Sequence, residues 1–209
     1  MLHNISSLII RMISKKFKPG NLLQLVLLLC LPAAHPAVGQ DSEFQDSSFL
    51  MILDMQEFYT SVHCTDSASE NAIRAMNTLI ERTSPDQVIY VTSASLSLSL
   101  SWKGIRVDTV YRHSLDKRLK VVNERLFDKT SGNAFSSGAL TAFLTAKGAK
   151  EITVVGLMAE KCVKQSLLGG LEKGFRMVTY PEALIAKDGK SKQKTMIRLA
   201  KKGVRLVYR

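Results

Sequence analysis

Histidine and cysteine are scarce in this sequence, at four and three of 209 residues. Once a cleavable leader is set aside, only His63 and His113 remain. Two imidazoles are too few for a multi-histidine metal site, so no metal and no cofactor is expected. A membrane span is missing as well. The almost purely apolar run at residues 22–31, broken by Gln24, is about half of the roughly 20 residues that crossing the hydrocarbon layer needs. The formal charge of +11 comes with no nucleic-acid module and no basic face interleaved with aromatic stacking groups. Its lysines are scattered, and a mild cluster from Lys187 to Lys202 is interrupted by Asp188, Ser191 and Thr195. That pattern reads as a solvated basic surface, and no nucleic-acid partner is expected. No internal repeat is visible.

What the sequence does contain divides into a leader and one domain. Arg11, Lys15, Lys16 and Lys18 precede the apolar run, and Ala37, Val38 and Gly39 supply small residues at the spacing of a cleavage site. Residues 1–39 are therefore read as a signal peptide cut before Gln40, which predicts a periplasmic or secreted protein with no membrane contact after cleavage. An uncleaved anchor and lipid attachment at Cys30 are the alternatives; the short run disfavours the first and the large Leu29 the second. Met12 is a second candidate start. Removing the leader lowers the formal charge to +7, because it carries four cations and no acid. Cys30 leaves with it, so Cys64 and Cys162 face an oxidising compartment as one disulfide or two thiols. The remaining stretch, 40–209, is of ordinary single-domain length, and the 45% hydrophobic content of the chain is enough for a buried core.

Within that domain, residues 49–53 form a short continuous apolar run ending at Asp54, as expected of a strand buried on both faces of a parallel sheet. Similar runs recur at 88–91, 152–155, 177–180 and 204–208. Between them the 3.6-residue pattern predicts helices. Over 68–81, Ala72, Ile73, Met76, Leu79 and Ile80 share one face, with Ser67 or Ser69 as cap. Further helices are expected over 137–146, 161–173 and 192–201, with Gly148, Gly174 and Gly203 after the ends of three of these helices. Alternating strands and helices predict an α/β three-layer sandwich, with a mostly parallel sheet and helices on both faces. Ligands in such sheets bind at the carboxyl ends of the strands, where Asp54 and the stretch from Gly156 to Cys162 lie. Residues 93–101 alternate serine with small or apolar residues and are read as a loop over the site, a strand extension being the alternative.

Three segments carry the chemistry: Asp54-Met55-Gln56 after the first strand; Lys129 six residues before Phe135, with Leu140 five further on; and Gly156 six residues before Cys162-Val163. In this order and spacing the chain, over roughly 48–208, resembles the isochorismatase-like cysteine hydrolases. The resemblance implies a Rossmann-like fold and a catalytic triad of Asp54, Lys129 and Cys162. It also implies a cis peptide between Leu157 and Met158 and an oxyanion hole from the backbone amides of Met158 and Cys162. The physical reasons stand apart from the likeness. A cysteine near a helix start and beside an ammonium group is favoured as thiolate, the nucleophilic form. Asp54 can take the thiol proton and return it to a leaving amine, with Lys129 holding the carboxylate.

Departures from the relatives narrow the reading. Nicotinamidases of this group hold a divalent metal on an Asp and several His residues, whereas 92–102 here contain neither. The isochorismatases that cleave vinyl ethers lack the nucleophilic cysteine, so Cys162 points to amide, carbamoyl or urea-like substrates. Ala159 stands where relatives usually carry Thr, which keeps a non-catalytic binding or assembly module on the same fold as the alternative. Gln56, Phe58 and Phe135 are the expected pocket walls, with Trp102 a weaker candidate. His63 and Cys64 are read as ordinary loop residues, with His63 at the entrance as the alternative. Ser166, Gly170 and Gly174 form a small-residue stripe for close helix packing. The resemblance further implies a small-molecule substrate and a homo-oligomer.

Overall fold

The structure, a computed structural model, describes residues 47–208 apart from Lys103 and Arg112. The signal-peptide reading of 1–39 lies outside the described residues. Strand β1 (Ser48–Leu53) is buried at every position, so both faces of the sheet are covered around it. It pairs in parallel with β2 (Val88–Ser93) on one side and β6 (Glu151–Leu157) on the other. The sheet extends through β5 (Leu126–Lys129) beyond β2, and through β7 (Arg176–Thr179) and β9 (Arg205–Leu206) beyond β6. A short β8 (Leu184–Ile185) pairs with the end of β6, giving seven strands, all in parallel register.

Helix α1 (Glu57–His63) is not among the expected helices and takes up His63, which the sequence reads as a loop residue. The others, α2 (Ser67–Arg82), α3 (Gly138–Ala146), α4 (Lys164–Glu172) and α5 (Gly189–Lys201), form where the apolar periodicity places them. Asp66, rather than either serine, caps α2, its carboxylate accepting from the amide of Ser69. Asp188 caps α5 in the same way and moves its start three residues ahead of the apolar pattern. Gly174 ends α4 at φ 85°, a conformation that favours glycine. Its place in the expected packing stripe does not hold, since nothing lies within 4 Å of where its Cβ would be. Ser166 and Gly170 do pack closely. Ser166 Oγ accepts from the amide of Ala134 at 2.9 Å, and a Cβ on Gly170 would meet Met177 Sδ at 2.3 Å.

The serine-rich stretch is not a loop. Strand β3 (Ser95–Ser101) pairs antiparallel with β4 (Gly104–Tyr111) as a separate two-stranded sheet. Its period-two alternation is that of a strand, and Gly104 at φ 116° closes the turn. Trp102, at that turn, is fully exposed and is not among the lining residues of the cavity at Asp54 and Cys162. Among the described residues no helix is long and apolar enough to cross a membrane.

Candidate active site

Four neighbouring strands deliver the site at their carboxyl ends, where such sheets bind ligands. Asp54 follows β1, Ser93 ends β2, Lys129 ends β5, and Met158 follows β6. Close approach of β1 and β6 requires Gly156, at φ 123°, because a Cβ there would stand 2.2 Å from the carbonyl oxygen of Leu53. Asp54 itself has φ 56°, left-handed backbone that costs a non-glycine residue about 1–3 kcal/mol and that aspartate tolerates better than most. Its amide continues the ladder by donating to Val91 O at 2.9 Å, while the chain turns off the sheet.

Cys162 lies in the first turn of a helical segment, but that turn is π-helical. Residues Ala159–Val163 form it, and the Val163 amide donates to Met158 O, five residues back, at 3.3 Å. Regular helix begins only with α4. The Leu157–Met158 peptide is cis.

These turns bring the three expected side chains together. Lys129 Nζ lies 3.0 Å from Asp54 Oδ2 and donates to Cys162 Sγ at 3.5 Å. It also donates to Ser131 O at 3.2 Å and to Ser93 Oγ at 2.7 Å. The Ser93 hydroxyl passes the link on, donating to Asp54 Oδ1 at 2.8 Å. Asp54 and Lys129 are buried, and Cys162 is partly exposed. Burial pushes the Cys162 thiol above its ordinary range. The Asp54 carboxylate adds to that rise more than the Lys129 ammonium offsets it. That direction runs against the thiolate expected from helix start and ammonium alone.

A cavity of about 150 Å³ opens over this group, lined by Asp54, Tyr59, His63, Ser93, Leu157, Met158, Lys161 and Cys162. The expected walls Gln56, Phe58 and Phe135 are not among them. Gln56 is fully buried and turned inward. Its Oε1 accepts from the Ser93 amide at 2.9 Å, and its Nε2 donates to Ser93 O at 3.1 Å and to His113 O at 3.4 Å. One amide thus holds both ends of the segment that carries the β3–β4 hairpin. Phe58 is 56% exposed and stacks on His113 at 4.5 Å, beside a separate open groove. Phe135 belongs to the core, stacked on Phe175 at 5.6 Å. In their place α1 supplies Tyr59 and His63, the latter at the entrance, and the π-helical turn supplies Lys161. Ser93 and Lys161 carried no signal beyond position, the first closing an apolar strand and the second preceding Cys162.

Cys64, one residue beyond His63, points the other way into the core, and both cysteines are free thiols. Among the described residues no three His, Cys, Asp or Glu side chains group to hold a metal ion.

Comparison with known proteins agrees with this fold. The family model for the isochorismatase domain matches residues 48–208. No curated protein matches the chain. Among solved structures, the pyrazinamidase of Pyrococcus horikoshii in complex with zinc superposes with TM-score 0.62 at 16% identity, over 78% of this chain and 99% of that one. The nicotinamidase of Staphylococcus aureus gives 0.60 at 12% identity, over 77% and 99%. An octameric hydrolase of unknown specificity from Escherichia coli gives 0.60 at 18% identity, over 78% and 76%. At these identities the likeness is one of fold. With the strand order and a family match over 48–208 in agreement, the chain belongs to the isochorismatase family.

Proposed function

We propose that the protein is an exported cysteine hydrolase that cleaves a C–N bond in a small amide, carbamoyl or related substrate. One observation carries the reading: Lys129 Nζ reaches both Asp54 Oδ2 and Cys162 Sγ, and those two residues line one cavity. In the first half-reaction, Asp54 accepts the thiol proton as Cys162 Sγ attacks the carbonyl carbon. Lys129 stabilises the negative charge that then passes between sulfur, carboxylate and oxyanion. The backbone amides of Met158 and Cys162, at the cavity wall, are the proposed donors to that oxyanion.

Asp54 next gives its proton to the leaving nitrogen, the C–N bond breaks, and the acyl group remains on sulfur as a thioester. Water attacks the thioester and loses a proton to Asp54, which returns it to the departing sulfur. The balance is one amide plus one water to one acid plus one amine. A thiol pushed upward by burial and by Asp54 suits this order of events, since the proton that Asp54 delivers then comes from Cys162.

Export rests on the basic and apolar pattern of the first 39 residues, and the fold suits a homo-oligomer, as in the octameric Escherichia coli relative. A panel of small amides, carbamates and vinyl ethers tests the reading. Turnover of a C–N substrate by the wild type, abolished in Cys162→Ala, is expected. Activity confined to vinyl ethers, or retained in Cys162→Ala, would overturn it.

A further inference from the structure

We infer that Lys161 makes the cavity select for carboxylate-bearing substrates, that is, small amide or carbamoyl compounds with a carboxylate a few bonds from the scissile carbon. The inference rests on the proposed hydrolase reading and adds a substrate class to it. A cavity of about 150 Å³ is smaller than the roughly 300–1,000 Å³ of drug-sized sites, so a charge carried by a lining residue counts for more with a ligand seated there.

The charges on that wall do not cancel. Asp54 is the one carboxylate among the lining residues, and it is already matched by Lys129 at 3.0 Å. Lys161 then stands as an additional cation, and among the described residues no carboxylate is paired with it. Its backbone is fixed by the π-helical turn, where its amide donates to Met158 O at 2.9 Å. Its side chain is exposed, at the position immediately before the nucleophile. The imidazole of His63 lines the same cavity and brings no negative charge. A substrate carboxylate would find in Lys161 a partner that no group of the protein has claimed, whereas a substrate ammonium would meet Lys161 with no free acid to offset it.

Two alkylating reagents that differ only in this charge supply the test: iodoacetate and neutral iodoacetamide. Their second-order rates at Cys162 are measured on the full chain by peptide mapping, and the ratio of rates is normalised to that of a small free thiol. Any change in thiol ionisation affects both reagents alike and leaves the ratio untouched. The wild type is expected to favour iodoacetate relative to the free thiol, and high salt should weaken that preference. Lys161→Gln should lower the normalised ratio by about threefold to tenfold, and Lys161→Glu further. A ratio equal to that of the free thiol, or one unchanged in both variants, would overturn the inference. The underlying reading fails separately, if Lys129→Met leaves the iodoacetamide rate at Cys162 unchanged.

Discussion

Lys129 and Asp54 form an ion pair whose side chains are only 1% and 3% exposed. Such a pair contributes little net stability compared with a well-packed apolar substitute, yet removing one partner strands a buried charge at a cost of about 3–5 kcal/mol. Lys129→Met is therefore expected to lower the free energy of unfolding by that amount in urea titration. Adding Asp54→Asn to the same chain should recover much of the loss, so the two substitutions are not additive.

Ser93 connects the same two groups, accepting from one and donating to the other. Ser93→Ala leaves a buried ammonium and a buried carboxylate each one hydrogen bond short, and a stability loss of about 1–3 kcal/mol is predicted. Ser93→Thr keeps the hydroxyl. In parallel urea titrations it should lie closer to wild type than the alanine variant does.

Much of the architecture was legible because burial writes itself into sequence. The runs at 49–53 and 152–155 are continuous because β1 and β6 are covered on both faces, and the expected helices appear with ends shifted by no more than three residues. Strand β5 was not legible: four residues, Leu126 to Lys129, make too short a run, and the first is 40% exposed. The two-residue β8 owes its place to its neighbour rather than to pattern, whereas the run at 204–208 did mark β9, which is shorter than that run. The meeting of Asp54, Lys129 and Cys162 was readable from spacing, but the residues that line the cavity beside them were not. Gln56 follows Asp54 by two residues, yet the turn at Asp54 aims its side chain into the protein, where it pairs with the Ser93 backbone. Phe135 was drawn into the core by Phe175 and Gly170. Which side of a turn faces a cavity depends on backbone dihedrals and on partners distant in sequence, and no local period encodes either.

Cys64 makes folding sensitive to alkali. Burial raises its thiol from 9.0 to about 11, an effect that nearby Arg118 only partly offsets. The folded state thus holds the proton more tightly than the unfolded chain, and the associated stability is fully present below pH 9 and lost as pH rises towards 11. Thermal unfolding temperature should fall across that window. In Cys64→Ala the fall should be shallower, measured against the variant's own value at neutral pH.

Asp54 should act with opposite sign on two reactions of the same sulfur. Because its charge adds to burial in raising the Cys162 thiol, Asp54→Asn lets the thiol ionise more readily, and alkylation by iodoacetamide near neutral pH is predicted to accelerate by about threefold or more. Amide hydrolysis should instead fall by about 10²- to 10⁴-fold, since the variant cannot shuttle the proton to the leaving nitrogen. Both rates can be measured on one preparation.

The account stands or falls on the covalent step at Cys162. The decisive measurement is the intact mass of the protein, quenched in acid during turnover of an amide that the substrate panel identifies, followed by peptide mapping. A mass increase equal to the acyl group, located on Cys162 and absent from Cys162→Ala together with turnover, is the predicted result. Hydrolysis of the same amide by Cys162→Ala at the wild-type rate would contradict it.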